Sequence, residues 1–269
     1  MSEQSMTEAR GPRASALVTG ASTGIGKAFA ERLGRDQHDL VLVARDVERL
    51  EALAKELAEV HGAYAEVLPA DLTDPADLAR VEERLRSAPP DLLVNNAGFG
   101  TVGRFIELDL DAEDRQVRLN VTALMRLTRV ALPAMVERGH GRVINVSSLA
   151  GESPGPFMAT YAGTKAFVTI FTDSLAEELR GTGVQIQAVL PGFTRTEFQE
   201  RAGVNDSVVP GFAWLTAEAV VDASLEGLEK GRVICVPGLG YRALAAAQKF
   251  APRGLMRRLY GESLRRSLD

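Results

Sequence analysis

Tyr161 and Lys165 stand four residues apart in the helix-forming run ATYAGTKAF. Residues at that spacing share one helix face, so an ammonium can stay beside a phenol without help from a flexible loop. An ordinary tyrosine has a pKa near 10 and is ionised in only about one molecule per thousand at pH 7. Bringing that pKa near 7 takes about 4 kcal/mol of preference for the phenolate, an attraction that nearby positive charge can supply in a partly desolvated site. The pair is therefore suited to moving a proton. Taken alone, the same spacing more often serves packing or a solvated surface.

A second chemical signal is TGASTGIG at residues 19–26, where Gly20, Gly24 and Gly26 follow an apolar strand and open a helix. Glycines there let backbone N–H groups and the helix N-terminus approach a pyrophosphate closely. The bare pattern also describes a tight strand-to-helix turn; its placement, strand before and helix after, is what points to a dinucleotide. The next strand ends VLVARD. A carboxylate at such a strand end accepts from a free ribose diol, but here the position is Ala44, followed by Arg45. A guanidinium pairs with a 2′-phosphate, so the expected cofactor is NADP(H) rather than NAD(H). The alternative is that Asp46 caps the following helix and Arg45 is simply solvated.

The elements that must position these groups alternate. Valine-, leucine- and isoleucine-rich runs recur at ASALVTG, DLVLVA, AYAEVLPA, DLLVNNAG, GRVINVSS, GVQIQAVLPG and GRVICVPG. Between them lie segments of helical period: about Ile25–Leu33, Asp46–Gly62, Pro75–Ser87, roughly Ala112–Arg138, roughly Phe157–Arg180 and Thr216–Lys230. Near-continuous apolar strands joined by helices predict an α/β protein with a seven-stranded parallel sheet covered on both faces. With no repeat or linker in view, the expectation is one doubly wound, Rossmann-like domain over 14–269, preceded by a loose polar tail at 1–13.

These motifs, together with NNAG at 95–98, RLNV at 118–121, VSS at 146–148 and LPGFTRT at 190–196, resemble the short-chain dehydrogenase/reductase family over roughly residues 14–236. Separations match as well as letters: 28 residues from Asn120 to Ser148, 13 from Ser148 to Tyr161, and four to Lys165. The resemblance implies that Tyr161 is the general acid for carbonyl reduction and the base for alcohol oxidation. It implies that Lys165 lowers the phenol's pKa and holds the nicotinamide ribose, that Ser148 hydrogen-bonds the reacting oxygen, and that Asn120 organises a proton relay through water. For the cofactor it implies Asp71 and Leu72 near the adenine and Asn96, Ala97 and Gly98 beneath the dinucleotide. Ser22, Thr23 and Ile25 join the glycine loop, while Pro191, Gly192, Thr194 and Thr196 lie near the nicotinamide. A homodimer or homotetramer built from the helices at 112–138 and 157–180 is implied too.

The substrate side is expected from a lid at 193–215, with Phe193, Phe198, Val204, Val208, Val209, Phe212 and Trp214, together with Phe99 and the ESPGPFM loop at 152–158. That wall suggests a medium-sized apolar ketone, aldehyde or secondary alcohol, unless these side chains merely close the lid onto the protein. A non-catalytic NADP(H)-binding sensor would use the same fold but gives no reason to keep Tyr161 with Ser148. A methyltransferase gives none for Arg45.

Composition bounds the rest. The 269 residues are 45% hydrophobic and carry a net charge of −5. Seven basic side chains against two acidic ones fall after residue 240, leaving an acidic body that argues against nonspecific nucleic-acid binding. That basic stretch at 241–269 could lie on an anionic membrane, or pack on the body or on a second subunit. No apolar run reaches the ~18–20 residues of a membrane span. No secretory stretch opens the chain, and the single cysteine, Cys235, fits a reducing, cytoplasmic setting. Isolated His38, His61 and His140 argue against a metal site.

Overall fold

The computed structural model describes residues 13–198, 211–250 and 254. The N-terminal stretch before Arg13, the middle of the expected lid (including Val204, Val208 and Val209), the Phe212 side chain and most of the last basic stretch lie outside the described residues.

Seven strands form one parallel sheet: β1 (Ser15–Thr19), β2 (Asp39–Ala44), β3 (Ala65–Pro69), β4 (Leu92–Asn95), β5 (Gly141–Val146), β6 (Val184–Val189) and β7 (Ile234–Cys235). Their order across the sheet is β3-β2-β1-β4-β5-β6-β7. The chain therefore winds outward in both directions from β1, and the crevice beyond the carboxyl ends of β1 and β4 is where such sheets take ligands.

Although the strands read as unbroken apolar runs, their side chains alternate between two cores. Ala16 and Val18 of β1, with Leu40 and Leu42 of β2, face a core closed by Phe29 and Leu33 of α1 (Gly24–Arg35), Leu50, Leu53 and Leu57 of α2 (Val47–His61), and Val220 and Leu228. Leu17, Val41 and Val43 face the opposite core, with Leu78, Val81 and Leu85 of α3 (Pro75–Ser87). This is the period-two geometry of a strand buried on both sides. Each fully buried leucine contributes about 1.5–3 kcal/mol by leaving water.

Local chemistry sets the helix ends. Asp74 caps α3 by accepting from the Ala76 and Asp77 amides at 2.9 and 3.0 Å, with Pro75 at the first helical position. Gly62 ends α2 at φ 61°, a left-handed conformation that favours glycine.

One expected helix is not continuous. The segment predicted over 112–138 is α4 (Leu110–Val117), a π-helical stretch at Arg118–Ala123, and α5 (Leu124–Glu137). Sequence periodicity cannot show such a break because one wide turn shifts the hydrophobic stripe by only a single residue. Wide turns of this kind are frequent at functional sites. Asn120 sits inside this one. The remaining long helices are α6 (Ala159–Glu178), α7 (Ala217–Glu229) and α8 (Leu239–Phe250). No helix among the described residues is long and apolar enough to cross a membrane.

Candidate active site

The turn after β1 is tight enough to require its glycines. Gly20 has φ 66°, and a Cβ added at Gly26 would lie 2.1 Å from the Gly20 carbonyl oxygen. Thr23, at the N-cap of α1, makes no side-chain capping bond, and no acidic residue sits in the first turn. The first N–H groups of α1 are thus left to an anion. Across the crevice Thr19 joins the ends of β1 and β4: its hydroxyl accepts from the Asn96 and Ala97 amides, each at 3.0 Å. The Asn96 side-chain Nδ2 donates back to the Thr19 carbonyl at 3.0 Å.

The proton-transfer residues converge from three elements. Lys165 is 5% exposed, and its Nζ donates to the Val146 carbonyl at 2.8 Å, at the end of β5. That Nζ lies 5.8 Å from the centre of the Tyr161 ring. Ser148, just after β5, accepts from the Ala150 amide at 3.1 Å and lies close enough to the Tyr161 phenol to favour its ionised form. Asn120, 1% exposed, accepts from the Phe99 amide at 3.1 Å and donates to the Phe99 carbonyl at 2.8 Å and to Thr164 Oγ1 at 3.1 Å. A Cβ at Gly98 would stand 3.0 Å from Asn120 Oδ1 and 3.4 Å from Lys165 Nζ, so the glycine leaves room where those groups meet.

The electrostatics depart from the expectation of a phenol lowered towards 7. Burial pushes Tyr161 up to about 12, opposed by the nearby Ser148 hydroxyl. Burial also brings Lys165 down to about 8. The correction has a simple cause: removing a charge from water outweighs the attraction of an ammonium that points at a backbone carbonyl rather than at the phenol. At neutral pH the protein holds Tyr161 protonated, as a donor needs to be.

These residues border one cavity of about 1230 Å³. Every site residue expected from sequence lines it except Gly26 and Asn120, which stand one layer behind the wall. Arg45 and Asp71 face each other at 4.0 Å at one end, with the Arg45 side chain 75% exposed. Asp46 does cap α2, accepting from Arg49 N at 3.1 Å, as the capping reading of the ARD stretch expects. At the other end lie Phe99, Met158, Phe193, Phe198 and Leu244. Trp214 packs against Phe193 behind that wall, with ring centres 5.7 Å apart.

Several contributors escaped the sequence reading. Tyr241 of α8 accepts from the Phe193 amide at 3.1 Å and donates to the Ala213 carbonyl at 2.7 Å, bracing both ends of the lid. A Cβ at Gly192 would strike its ring at 2.2 Å. The face of α8 bearing Tyr241, Leu244 and Gln248 lines the cavity, so this part of the basic C-terminal segment packs on the body. Beneath the site a buried amide chain joins Asn95 to Asn145 and Asn145 to Thr172, each at 2.9 Å. The NNAG and INVSS letters contained these asparagines, but nothing in their spacing said they would pair across β4 and β5. No cluster of metal-ligating side chains occurs among the described residues.

Residues 14–206 match the short chain dehydrogenase family. A very-long-chain 3-oxoacyl-CoA reductase of Anas platyrhynchos is 33% identical over 229 residues, covering 82% of this chain and 72% of that protein. A short-chain dehydrogenase from Sphingobium yanoikuyae, solved in complex with NADPH, is 43% identical with TM-score 0.82, covering 90% of this chain and 95% of that one. A bulky-bulky ketone specific alcohol dehydrogenase from Comamonas testosteroni is 38% identical with TM-score 0.78, covering 90% and 93%.

Proposed function

The chain belongs to the short-chain dehydrogenase family, and from that premise we propose that it is an NADP(H)-dependent oxidoreductase that reduces bulky apolar ketones, or oxidises the corresponding secondary alcohols. The observation that carries the reading is the convergence of Tyr161, Ser148 and Lys165 on the wall of one cavity that also takes in the glycine turn, Arg45 and several aromatic side chains.

The fit of the dinucleotide rests on the tight glycine turn, the uncapped first turn of α1 and the side-chain-free Gly98. Arg45 and the absence of a carboxylate at Ala44 support the phosphorylated cofactor. The similar Sphingobium protein, solved with NADPH, supports it as well. When bound, the reduced nicotinamide supplies a hydride to the carbonyl carbon. Ser148 then hydrogen-bonds the carbonyl oxygen while Tyr161 delivers its proton there, so that charge never accumulates unrelieved. Lys165, fixed by Val146, holds a position from which it can meet the ribose and return a proton to the phenol. Asn120 keeps the Phe99 backbone and Thr164 in place around that route.

Phenylalanines 99, 193 and 198, with Met158 and Leu244, offer apolar surface at the substrate end. The similarity to a dehydrogenase named for bulky-bulky ketones supports a substrate with large groups on both sides of the carbonyl. The test is oxidation of NADPH, followed by its near-ultraviolet absorbance, against a panel graded in size and charge. Turnover of large apolar ketones is expected, with Arg45→Ala weakening NADPH binding about tenfold and leaving NADH unaffected. Turnover confined to small charged hydroxy acids, or equal use of NADH by the unmodified protein, would count against the proposal.

A further inference from the structure

The buried stripe of α4 is polar. Glu113, Gln116 and Asn120 follow one helical face into the π-helical stretch, and they are 5%, 0% and 1% exposed. All three bond to the same short loop after β4. Asn120 takes both the Phe99 amide and the Phe99 carbonyl, at 3.1 and 2.8 Å. Gln116 Oε1 accepts from the Thr101 amide at 2.9 Å, and Glu113 Oε1 accepts from the Thr101 hydroxyl. Between these anchors lies Gly100, where an added Cβ would sit 2.8 Å from Cδ2 of Tyr161 and 3.2 Å from Phe198. A further tether, from the Gly103 amide to the Phe157 carbonyl at 2.8 Å, ties the loop to the segment leading into α6.

We infer that Glu113 and Gln116 are positioning residues for the reaction, holding the 99–101 loop so that its backbone walls the Tyr161 ring and Phe99 faces the substrate. This rests on the reading of Tyr161 as the proton donor. The loop has no sheet or helix ladder of its own, so its amides need partners from elsewhere, and α4 supplies them. Packing alone does not account for the choice. Glu113 Oε2 and Gln116 Nε2 have no hydrogen-bond partner among the described residues. A carboxylate and a carboxamide buried half-satisfied are worse for stability than apolar side chains of like size. Departures from local rules of this kind concentrate at functional sites. A misplacement of reacting groups by about an ångström can cost up to 100-fold in rate, so a wall touching the Tyr161 ring is a sensitive place to anchor.

The test removes the tether from both sides. Thr101→Val deletes the hydroxyl from the loop, and Gln116→Met deletes the acceptor from the helix. Both should lower kcat on a bulky ketone about tenfold with NADPH affinity unchanged. Both should also speed amide exchange in the peptide spanning residues 97–103. Glu113→Gln, whose amide oxygen still accepts from Thr101, should keep the tether and with it kcat and exchange near those of the unmodified protein. Wild-type kcat in Thr101→Val and Gln116→Met overturns the inference, whether or not exchange rises. If Gln116→Met fails to fold, Thr101→Val decides alone, because it alters only the loop. Should the unmodified protein reduce no ketone, the functional proposal falls. Unchanged exchange at 97–103 would then overturn this inference separately, and faster exchange would uphold the tether.

Discussion

At the reaction end of the cavity, Lys165 and Asn120 are no more than 5% exposed and are fixed to backbone carbonyls on neighbouring elements. At the adenosine end, Arg45 is 75% exposed and meets Asp71 only at 4.0 Å. Both ends were found from charged or titratable residues, yet different physics holds them. The first end is set by burial and covalent frame: four residues of helix fix Tyr161 to Lys165, and removal of water sets their proton affinities. The second is set by charges in water, which salt screens and which can trade partners. On the proposed function, chemistry that must be exact sits where geometry is rigid, and recognition of a charged handle sits where it is adjustable.

The sharpest way to break the contrast is to remove the phenol. Tyr161→Phe should lower kcat by about 10²–10⁴-fold, the usual worth of a positioned acid–base group, while NADPH binding measured by fluorescence stays near wild type. Residual turnover close to wild type would mean that the proton comes from elsewhere.

Next is the buried ammonium. Lys165 falls from the ordinary 10.5 to about 8 because its charge is desolvated. Between those pH values the unfolded chain binds more protons than the folded one, so stability should rise as pH climbs from about 8 towards 10.5. Tyr161, raised to about 12, acts with the opposite sign only above its ordinary value of 10, but the Cys235 thiol, pushed up from 9 by burial, already does so above pH 9, which leaves pH 8–9 as the clean window. The full effect by pH 10.5 is roughly 3 kcal/mol, of which about 1 kcal/mol falls within that window, and Lys165→Met should abolish this rise. Measuring Tm of both proteins across that window checks it; parallel curves would show that burial does not govern the reaction end.

Much of this was legible in the sequence for reasons that can be named. The strand runs gave the sheet because two-sided burial keeps most of their positions apolar, with exceptions such as Asn95 and Asn145 that pair with each other. The spacing of Tyr161 and Lys165 gave one helix face, and the glycines at 20 and 26 gave a turn that no side chain would fit. What was hidden depended on tertiary contact. The break at Arg118–Ala123 leaves no periodic trace, and the sign of the Tyr161 shift required knowing how deeply the ring is buried. Glu113 and Gln116 look like ordinary polar helix residues until the loop they hold is seen. Tyr241 needed the fold of α8 over the lid.

The adenosine end offers the smallest effect. Arg49, four residues beyond Arg45, holds both carboxylate oxygens of Glu197 at 2.8 and 3.0 Å across a separation of 148 residues. Glu197 follows Thr196, whose side chain stands 3.1 Å from the position of a Cβ on Gly24. The ion pair therefore fastens the start of the lid across the glycine turn to the wall that carries Arg45. Both partners are close to half exposed, so the pair is worth little in water and is weakened by salt. Glu197→Gln should speed NADPH release about twofold at low ionic strength. The difference should vanish at high salt, and kcat per bound cofactor should not change if release is not limiting. Stopped-flow displacement at two salt concentrations reads this directly. A large, salt-independent acceleration would place a buried contact at this end too, and the two ends would then be held by the same physics after all.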